Sequence, residues 1–254
     1  GIIHGATNQI YQNAEEFYRA ENGHAIGYFW GYKTAGLFQN QKEINDWIAA
    51  GNGIYQADVK PGDVKYVDVN HDGVINASDK VDLGNGLPKY TFGFNFSLAW
   101  KGFDLSANFT GAAGFQIAQS YRDPSSSQAN YSRRILKRWT GEGTSNEIPR
   151  VTYGDVGNWL FSDLYLQDGD YIRLQNLTMG YDFKKLISWK GLSKMRLYFQ
   201  VQNLFTLTKY DGMDPEIGSF NGTDGNSSDS WVSGVDMGYY PHPRTFIVGL
   251  NLAF

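Results

Sequence analysis

The residues best suited to chemistry lie in one loop, where oxygen-bearing side chains recur at every second position. Asp68 and Asp72 occupy positions 1 and 5 of a twelve-residue loop, Gly73 follows at position 6, and Asp79 closes it at position 12. Ca²⁺ prefers about six to eight oxygen ligands, and the glycine permits the sharp bend that turns them inward. The pattern predicts a structural Ca²⁺ site whose ligands are Asp68, Asn70, Asp72, the carbonyl of Val74, Asn76 and Asp79.

A second interpretation of this loop needs no metal. Asp and Asn side chains accept hydrogen bonds from nearby backbone N–H groups, so the same residues can form a cluster of Asx turns. Asp79 also stands where such Ca²⁺ loops usually have glutamate, and its shorter side chain predicts weaker binding. His71, at position 4, is expected to face solvent. The sequence leaves both interpretations open.

The sequence contains no catalytic arrangement. It has no G-x-S-x-G or H-E-x-x-H pattern and no phosphate-binding glycine loop, and its four histidines lack metal-ligand spacing. The carboxylates Asp168 and Asp170 flank a turn, where a structural role is expected. The chain is therefore predicted not to be an enzyme and to need no organic cofactor.

The composition excludes several classes of protein. A net charge of −4 and a pI of about 5.6 provide no basic surface for nucleic acid, and the absence of cysteine excludes disulfides. No run of about 18 apolar residues occurs, so a transmembrane helix is excluded. The 16% aromatic content and 30 glycines indicate strands joined by turns. Membrane-barrel strands alternate and average out as polar, so they are compatible with the mean hydropathy of −0.43.

Stretches in which apolar and polar residues alternate predict the β-strands of the chain. Each places large apolar residues on one face and small or polar residues on the other, as the two-residue period of a β-strand requires. A turn at Lys101-Gly102 joins the first two, and a break in the apolar phase predicts a bulge near Gln175 and Asn176. The predicted strands are residues 90–100, 103–111, 171–183, 194–204 and 244–254, and helical stretches are predicted at 41–50 and 131–139.

The connections between the predicted strands alternate in length. Those at 101–102 and 184–193 are short, whereas those at 114–170 and 205–243 are long. Short turns at one end and long loops at the other are typical of outer-membrane barrels, and an odd count of five spans predicts part of a larger barrel. The short end also gathers aromatic residues of the kind found at membrane interfaces, namely Trp100, Phe103, Tyr181, Phe183, Trp189 and Phe254.

A series of motifs, in order along residues 26–254, resembles one family. They are I-G-Y-F-W-G-Y-K-T-A-G-L-F, P-G-D-V-K-Y-V-D-V-N-H-D-G-V-I-N-A-S-D, L-P-K-Y-T-F-G-F-N-F, K-G-F-D-L-S-A-N-F-T-G-A-A-G, Y-I-R-L-Q-N-L-T-M-G-Y and V-Q-N-L-F-T-L-T-K-Y. The series resembles the C-terminal part of SusC/RagA-type TonB-dependent transporters of Bacteroidetes outer membranes. The resemblance implies an all-β fold: the C-terminal part of a large antiparallel transmembrane β-barrel of about 22 strands with long extracellular loops.

The resemblance also implies a domain organisation and partners. Residues 1–254 are expected to be the C-terminal segment of the barrel, with an extracellular loop region at 26–89 and strands with two long extracellular loops at 90–254. Neither the plug domain nor a TonB-interacting segment is recognised in the sequence. The implied partners are a SusD-like surface lipoprotein, the TonB system, the rest of the same barrel, outer-membrane lipid and an oligosaccharide or peptide substrate. The expected role is import of oligomeric nutrients by a multi-pass β-barrel of the bacterial outer membrane.

Other functions stay open at this point. A secreted, soluble, Ca²⁺-stabilised β-sandwich that binds carbohydrate shows similar alternation. A glycoside hydrolase fragment would need two carboxylates about 5 to 10 Å apart in a cleft. The basic run at 133–138 is expected to be the solvated face of a loop helix, with contact to lipopolysaccharide phosphates or to the partner lipoprotein as the alternative. Aromatic residues of the long loops either stack on sugars or pack the loops: Tyr131, Trp139, Tyr153, Trp159, Phe161, Tyr165, Trp231, Tyr239 and Tyr240.

Overall fold

The computed structural model describes residues 11–12, 18–119, 133–152, 157–187, 189–217, 233–236 and 238–254. Its strands are β1 (Tyr11–Gln12), β2 (Tyr18–Ala20), β3 (Tyr28–Tyr32), β4 (Thr34–Leu37), β5 (Val64–Tyr66), β6 (Lys80–Asn85), β7 (Tyr90–Trp100), β8 (Phe103–Ala113), β9 (Gln116–Gln119), β10 (Leu166–Asp168), β11 (Tyr171–Asp182), β12 (Lys194–Thr208), β13 (Val235–Asp236) and β14 (Thr245–Ala253). The helices are α1 (Gln41–Ala49) and 3₁₀ turns at Ala77–Asp79, Arg133–Lys137, Gly157–Trp159, Asp163–Tyr165 and Phe183–Lys185. In the described part of the chain, no helix is long and apolar enough to cross a membrane.

The chain divides into two compact units. The sheet unit comprises Leu87–Phe115, Asp168–Glu216 and Tyr239–Phe254. The loop unit comprises Gly1–Gly86, Gln116–Gln167 and Ile217–Gly238. The described residues of the first long connection therefore belong mainly to the same unit as the N-terminal region, whereas those of the second belong mainly to the sheet unit.

The sheet unit is built on five antiparallel strands in the order β14-β12-β11-β8-β7. They confirm the five strands expected from the alternation, although β12 continues to Thr208 and β14 begins at Thr245. The predicted bulge is also confirmed, because the register of β11 shifts between Leu174 and Asn176 against both of its neighbours. The described strands form an open sheet with β7 and β14 at its edges; they do not close into a barrel.

The strand register sorts the side chains of this sheet into two kinds of row. One row of apolar residues crosses all five strands: Leu98, Leu105, Met179, Phe199 and Val248. A row of polar residues crosses them on the opposite face: Asn95, Asn108, Asn176, Gln202 and Thr245. Successive side chains of a strand point to opposite faces, so the alternation in the sequence is preserved across the sheet.

The loop unit is held by small sheets and two aromatic-rich cores. One core contains Tyr18, Phe29 and Val235, so it joins segments far apart in the chain. The other contains Tyr32, Leu37, Val64, Tyr66 and Ile75. The small sheets have the strand orders β1-β2-β3-β6, β4-β5 and β10-β9-β13.

The helix α1 matches the helical stretch expected at 41–50. It begins after Asn40, whose side-chain Oδ1 accepts a hydrogen bond from the Glu43 N–H at 2.9 Å. Its buried contact is made by Ile44. The second predicted helix, at 131–139, is a 3₁₀ turn over Arg133–Lys137, and residues 131 and 132 lie outside the described part of the chain.

Candidate functional site

The 68–79 loop is closed by two buried carboxylates, one at each end. Asp68 accepts hydrogen bonds from the N–H groups of Asp72 (3.3 Å) and Gly73 (2.7 Å). Asp79, which is fully buried, accepts from the N–H groups of Val69 (2.9 Å) and Asn76 (2.8 Å). These bonds satisfy charges that would otherwise be costly to bury. The two aspartates therefore fix the shape of the loop.

The middle of the loop follows the predicted turn. His71 and Gly73 have positive φ angles of 61° and 82°, where the chain bends sharply. Asp72 Oδ2 accepts from Asn70 Nδ2 at 2.9 Å, and Asn76 caps the 3₁₀ turn that follows it. Among the described residues, the three carboxylates of this loop do not come within 4.8 Å of one another as a set. The geometry corresponds to the Asx-turn interpretation, and the Ca²⁺ site stays a prediction.

The sheet unit exposes its apolar face. Phe94, in the middle of β7, is 59% exposed, and Val248 of β14 is 72% exposed. A water-soluble monomer rarely leaves a continuous apolar surface of this kind uncovered. The members of this apolar band with more than a third of their surface exposed are Tyr90, Phe92, Phe94, Phe96, Leu98, Trp100, Phe103, Met179, Leu197, Phe199, Phe205, Leu207, Phe246, Val248, Leu250 and Leu252.

The opposite face of the sheet is polar, and two of its long side chains lie across glycines of neighbouring strands. Arg196 crosses over Gly180 to reach Asp104 two strands away, with Nε–Oδ1 and Nη2–Oδ2 distances of 2.8 and 2.6 Å. A Cβ on Gly180 would lie 2.6 Å from Arg196 Nε, so the glycine is required for this path. Tyr198 similarly lies against Gly249. Because Gly180 and Gly249 have no Cβ, these two side chains lie along the sheet and present hydrogen-bonding groups on its polar face.

An ion cluster around the buried Arg173–Asp214 pair joins three segments near the other end of the sheet. Arg173 of β11 donates through Nη2 to Asp214, through Nη1 to Glu216 at 2.8 Å, and through Nε to Thr206 at 3.0 Å. His242 donates its backbone N–H to Asp214 at 3.0 Å, and its Nδ1 lies 2.9 Å from the same carboxylate. Burial raises the pKa of Asp214, but these hydrogen bonds and the Arg173 charge outweigh it and lower the pKa below its usual range.

This cluster was missed by sequence reasoning. Arg173 is a strand residue facing the polar side, but Asp214, Glu216 and His242 lie in a long connection without a recognisable pattern. Within the described residues, these three form the one group of three His or acidic side chains with ligand atoms inside 4.8 Å of one another. Arg173 forms an ion pair with each of the two carboxylates, so the arrangement is that of an ion-pair cluster that holds the connection against β11.

The predicted interface aromatics lie at the end of the sheet that carries the short turns. Trp100 pairs with Phe103 across the β7–β8 turn, and Phe103 pairs with Tyr181. The rings of Trp189 and Phe254 meet edge to face, with 6.3 Å between their centres. The expected gathering of these residues at one end is therefore found.

Most described loop aromatics pack inside the loop unit. Trp139 lies against the core around Leu37, and Phe161 lies against the core around Phe29. The Tyr165 hydroxyl donates to the Asn158 carbonyl at 2.8 Å. Tyr240, in the sheet unit, is 89% exposed. Tyr131, Tyr153 and Trp231 lie outside the described residues.

Comparison with known proteins gives consistent matches, although no family model matches the chain. TonB-dependent receptor P3 of Formosa agariphila is 33% identical over 255 residues, which covers 100% of this chain and 24% of the relative. TonB-dependent receptor SusC of Bacteroides thetaiotaomicron is 29% identical over 205 residues, or 79% of this chain and 18% of that protein. A solved structure of the RagAB peptide transporter aligns with a TM-score of 0.66 at 21% identity, over 98% of this chain and 25% of the matched chain.

These matches make the chain homologous to TonB-dependent receptors, which are a family of transporters and not of enzymes. The prediction that the chain is not an enzyme is thereby confirmed. Within that class, the homology is to the Bacteroidetes receptors SusC and RagA, which confirms the resemblance seen in the sequence. The chain spans about a quarter of the length of these relatives. Such homologues imply an outer-membrane location.

Proposed function

We propose that the sheet unit is part of the wall of a multi-pass transmembrane β-barrel in the bacterial outer membrane. The observation that carries this proposal is the exposed apolar band, which extends over all five strands while the opposite face is polar. A barrel wall needs this division because one face meets lipid and the other meets an aqueous interior.

The two edges of the sheet support a continuation of this wall. Every residue of β7 is exposed on both faces, and β7 pairs only with β8 among the described strands. At the other edge, β14 pairs only with β12 in the described part of the chain. Unpaired strand edges are not tolerated in the hydrocarbon core. Further strands of the same barrel are the proposed neighbours.

The proposed activity is import of oligomeric nutrients, either glycan oligosaccharides or peptides, together with a SusD-like surface lipoprotein and the TonB system. Support comes from the homology to SusC and from the similar fold of RagAB, which is described as a peptide transporter. The polar face suits contact with a hydrated oligomer, because it carries hydrogen-bonding groups such as those of Arg196 and Tyr198, which lie against glycines of neighbouring strands. In this arrangement the loop unit corresponds to the extracellular loops.

The rival function is a soluble, carbohydrate-binding β-sandwich. In a sandwich the apolar face is covered by a second sheet at about 10 Å. The exposure of residues such as Phe94 and Phe246 favours a lipid-facing surface instead.

A charge placed on the apolar band tests this proposal in the full-length protein that carries the chain. Phe94→Lys should cost about 2 to 4 kcal/mol near the membrane midplane and sharply reduce the folded protein recovered from the outer membrane. Ser97→Lys, on the polar face of the same strand, is the matched control and should assemble normally. Equal assembly of both variants would refute the proposed orientation of the sheet. A wild-type protein that stays folded and monomeric without detergent would refute the membrane-spanning proposal.

We also propose that the 68–79 loop binds Ca²⁺ through Asp68, Asn70, Asp72, the Val74 carbonyl, Asn76 and Asp79. The spacing of these oxygens and the sharp bend at Gly73 support it. Calorimetry at millimolar Ca²⁺ should detect binding that Asp72→Asn weakens. Ser78→Ala, which leaves all six groups in place, is the control. No heat of binding and no Ca²⁺-dependent stabilisation would leave the loop as an Asx-turn cluster.

A further inference from the structure

The short-turn end of the sheet unit forms one continuous surface. It consists of the turn at 101–102, the connection at 183–193 and the end of β14. The Asp182 N–H donates to the Gly102 carbonyl at 2.8 Å, and the Ser193 N–H donates to the Ala253 carbonyl at 2.7 Å. These bonds hold the two turns and the last strand together, and this surface is called the turn end below.

The 183–193 connection exposes large apolar side chains although it lies beyond the strands. Leu186 is 69% exposed and Trp189 is 60% exposed, and Ile187 and Phe254 are exposed beside them. A turn that faces bulk water normally carries polar residues in such positions. Tryptophan is the residue most typical of the headgroup level of a membrane, where its ring is apolar and its N–H remains hydrated.

Three exposed lysines lie on the same turns and strand ends as these apolar side chains. Lys101, Lys190 and Lys194 are exposed, and none forms an ion pair with another described residue. The Lys101 ammonium lies 4.9 Å from the centre of the Trp100 ring. The local carboxylates are already engaged, because Asp104 binds Arg196 and Asp182 accepts from the N–H groups of Lys184 and Met195.

The opposite end of the sheet unit has a different charge arrangement. There the buried Arg173 pairs with the buried Asp214 and with the exposed Glu216, and Lys209 lies 4.0 Å from Asp168. Lys89 and Arg244 are exposed at that end as well, whereas the turn end combines its exposed lysines with the exposed Leu186 and Trp189 of one connection. An array of ammonium groups beside inserted apolar side chains is complementary to a surface with phosphate above and hydrocarbon below.

We propose that the turn end binds the phosphates of anionic phospholipids, with Lys101, Lys190 and Lys194 on the headgroups and Leu186 and Trp189 at the boundary of the acyl chains. This inference rests on the proposed function, because it needs the sheet unit to span a membrane. Its consequence is that one lipid class stabilises the protein through these lysines.

Lipid titration of the full-length protein in detergent tests this proposal, with the melting temperature as the readout. Phosphatidylglycerol should raise the melting temperature, and phosphatidylcholine should not. Each lysine near an anionic surface strengthens the binding constant for the lipid by about fivefold. The variant Lys101→Gln/Lys190→Gln/Lys194→Gln should therefore need on the order of 100-fold more phosphatidylglycerol for half of the effect.

The matched control is Lys89→Gln/Lys209→Gln/Arg244→Gln, which removes the same charge from exposed residues at the other end and should respond like wild type. An equal response to both lipids, or an unchanged response of the turn-end variant, overturns the inference while the membrane assignment stands. Stronger stabilisation by lipopolysaccharide through the same lysines would overturn the assignment to phospholipid. A protein that remains folded and soluble without detergent would refute the proposed function as well.

Discussion

The two units use the same residue types in opposite ways. In the loop unit, aromatic residues such as Tyr28, Phe29 and Phe38 are fully buried in small cores. In the sheet unit, Phe94 and Phe246 lie exposed on one face. Burial in water is driven by removal of apolar surface, whereas an exposed apolar face is stable only beside another apolar medium. Exposure, and not composition, therefore identifies the solvent for which each region is built.

The largest difference in stability is expected between Phe→Ala substitutions in the two units. Phe29→Ala should destabilise the loop unit by about 3 to 5 kcal/mol, because it opens a cavity in a closed core. Phe94→Ala should cost less, about 1 to 2 kcal/mol, because the ring is 59% exposed beside Phe109 and its removal opens no closed cavity. Limited proteolysis and thermal unfolding of the two variants in detergent measure the difference. A similar loss in both would mean that Phe94 is enclosed by protein to the same extent as Phe29.

The second prediction concerns the Arg173–Asp214 ion pair, in which both side chains are buried. Arg173→Ala should cost about 3 to 5 kcal/mol, because it leaves Asp214 buried without its cation. Lys209→Ala, in an exposed and long pair, should be nearly neutral and serves as the control. Thermal unfolding in detergent compares them. Equal melting temperatures would show that the cluster is solvated.

The same cluster predicts a pH dependence. The pKa of Asp214 is lowered in the folded protein, so its ionised form stabilises the fold above its usual value of about 4. That contribution is lost as the pH falls through the lowered pKa. Stability should therefore decrease below about pH 4, and Asp214→Asn should remove this part of the pH profile. A wild-type profile identical to that of the variant contradicts the assignment.

A smaller effect is expected at the start of α1. Asn40→Ala should cost about 1 kcal/mol, because the Glu43 N–H loses its capping acceptor. Gln41→Ala, one residue later and exposed, should leave stability nearly unchanged. Hydrogen exchange over residues 41–49 distinguishes the two, since only loss of the cap frays the first turn. Equal exchange in both variants would argue against the cap.

The smallest effect is expected for a substitution on the polar face of the sheet. Gly180→Ala places a Cβ against Arg196 and should cost about 0.5 to 1 kcal/mol by displacing it from the half-exposed Asp104. Gly93→Ala is the control, because its Cβ would meet the nearest atom only at 3.7 Å. Thermal unfolding in detergent is the measurement. Destabilisation by both to the same degree would point to a general cost of replacing strand glycines.

Features set by local sequence could be predicted well. The alternation from Tyr90 to Trp100 determines both the strand and its apolar face, because a period of two leaves no other arrangement. The break in apolar phase at Gln175 marks the bulge for the same reason. Asn40 and the turn at Gly73 carry their signals within a few residues.

Features that depend on distant segments could not be predicted. The core that joins Phe29 to Val235 brings together residues about two hundred positions apart, and no local pattern specifies that contact. The partners of Arg173 lie in a connection rich in turn residues, where the backbone path is set by tertiary contacts. Metal binding by the 68–79 loop depends on how far its carboxylates can converge, which spacing alone does not determine.

The open edge at β7 has a consequence for biogenesis. Along its outer side, the strand presents backbone N–H and C=O groups to which no described strand is bonded. In hydrocarbon each such group would cost several kcal/mol, so β7 cannot enter the bilayer core ahead of its neighbour. In the proposed barrel, insertion and strand pairing would therefore have to occur together, and a chain arrested before that pairing would present β7 as a template for aggregation.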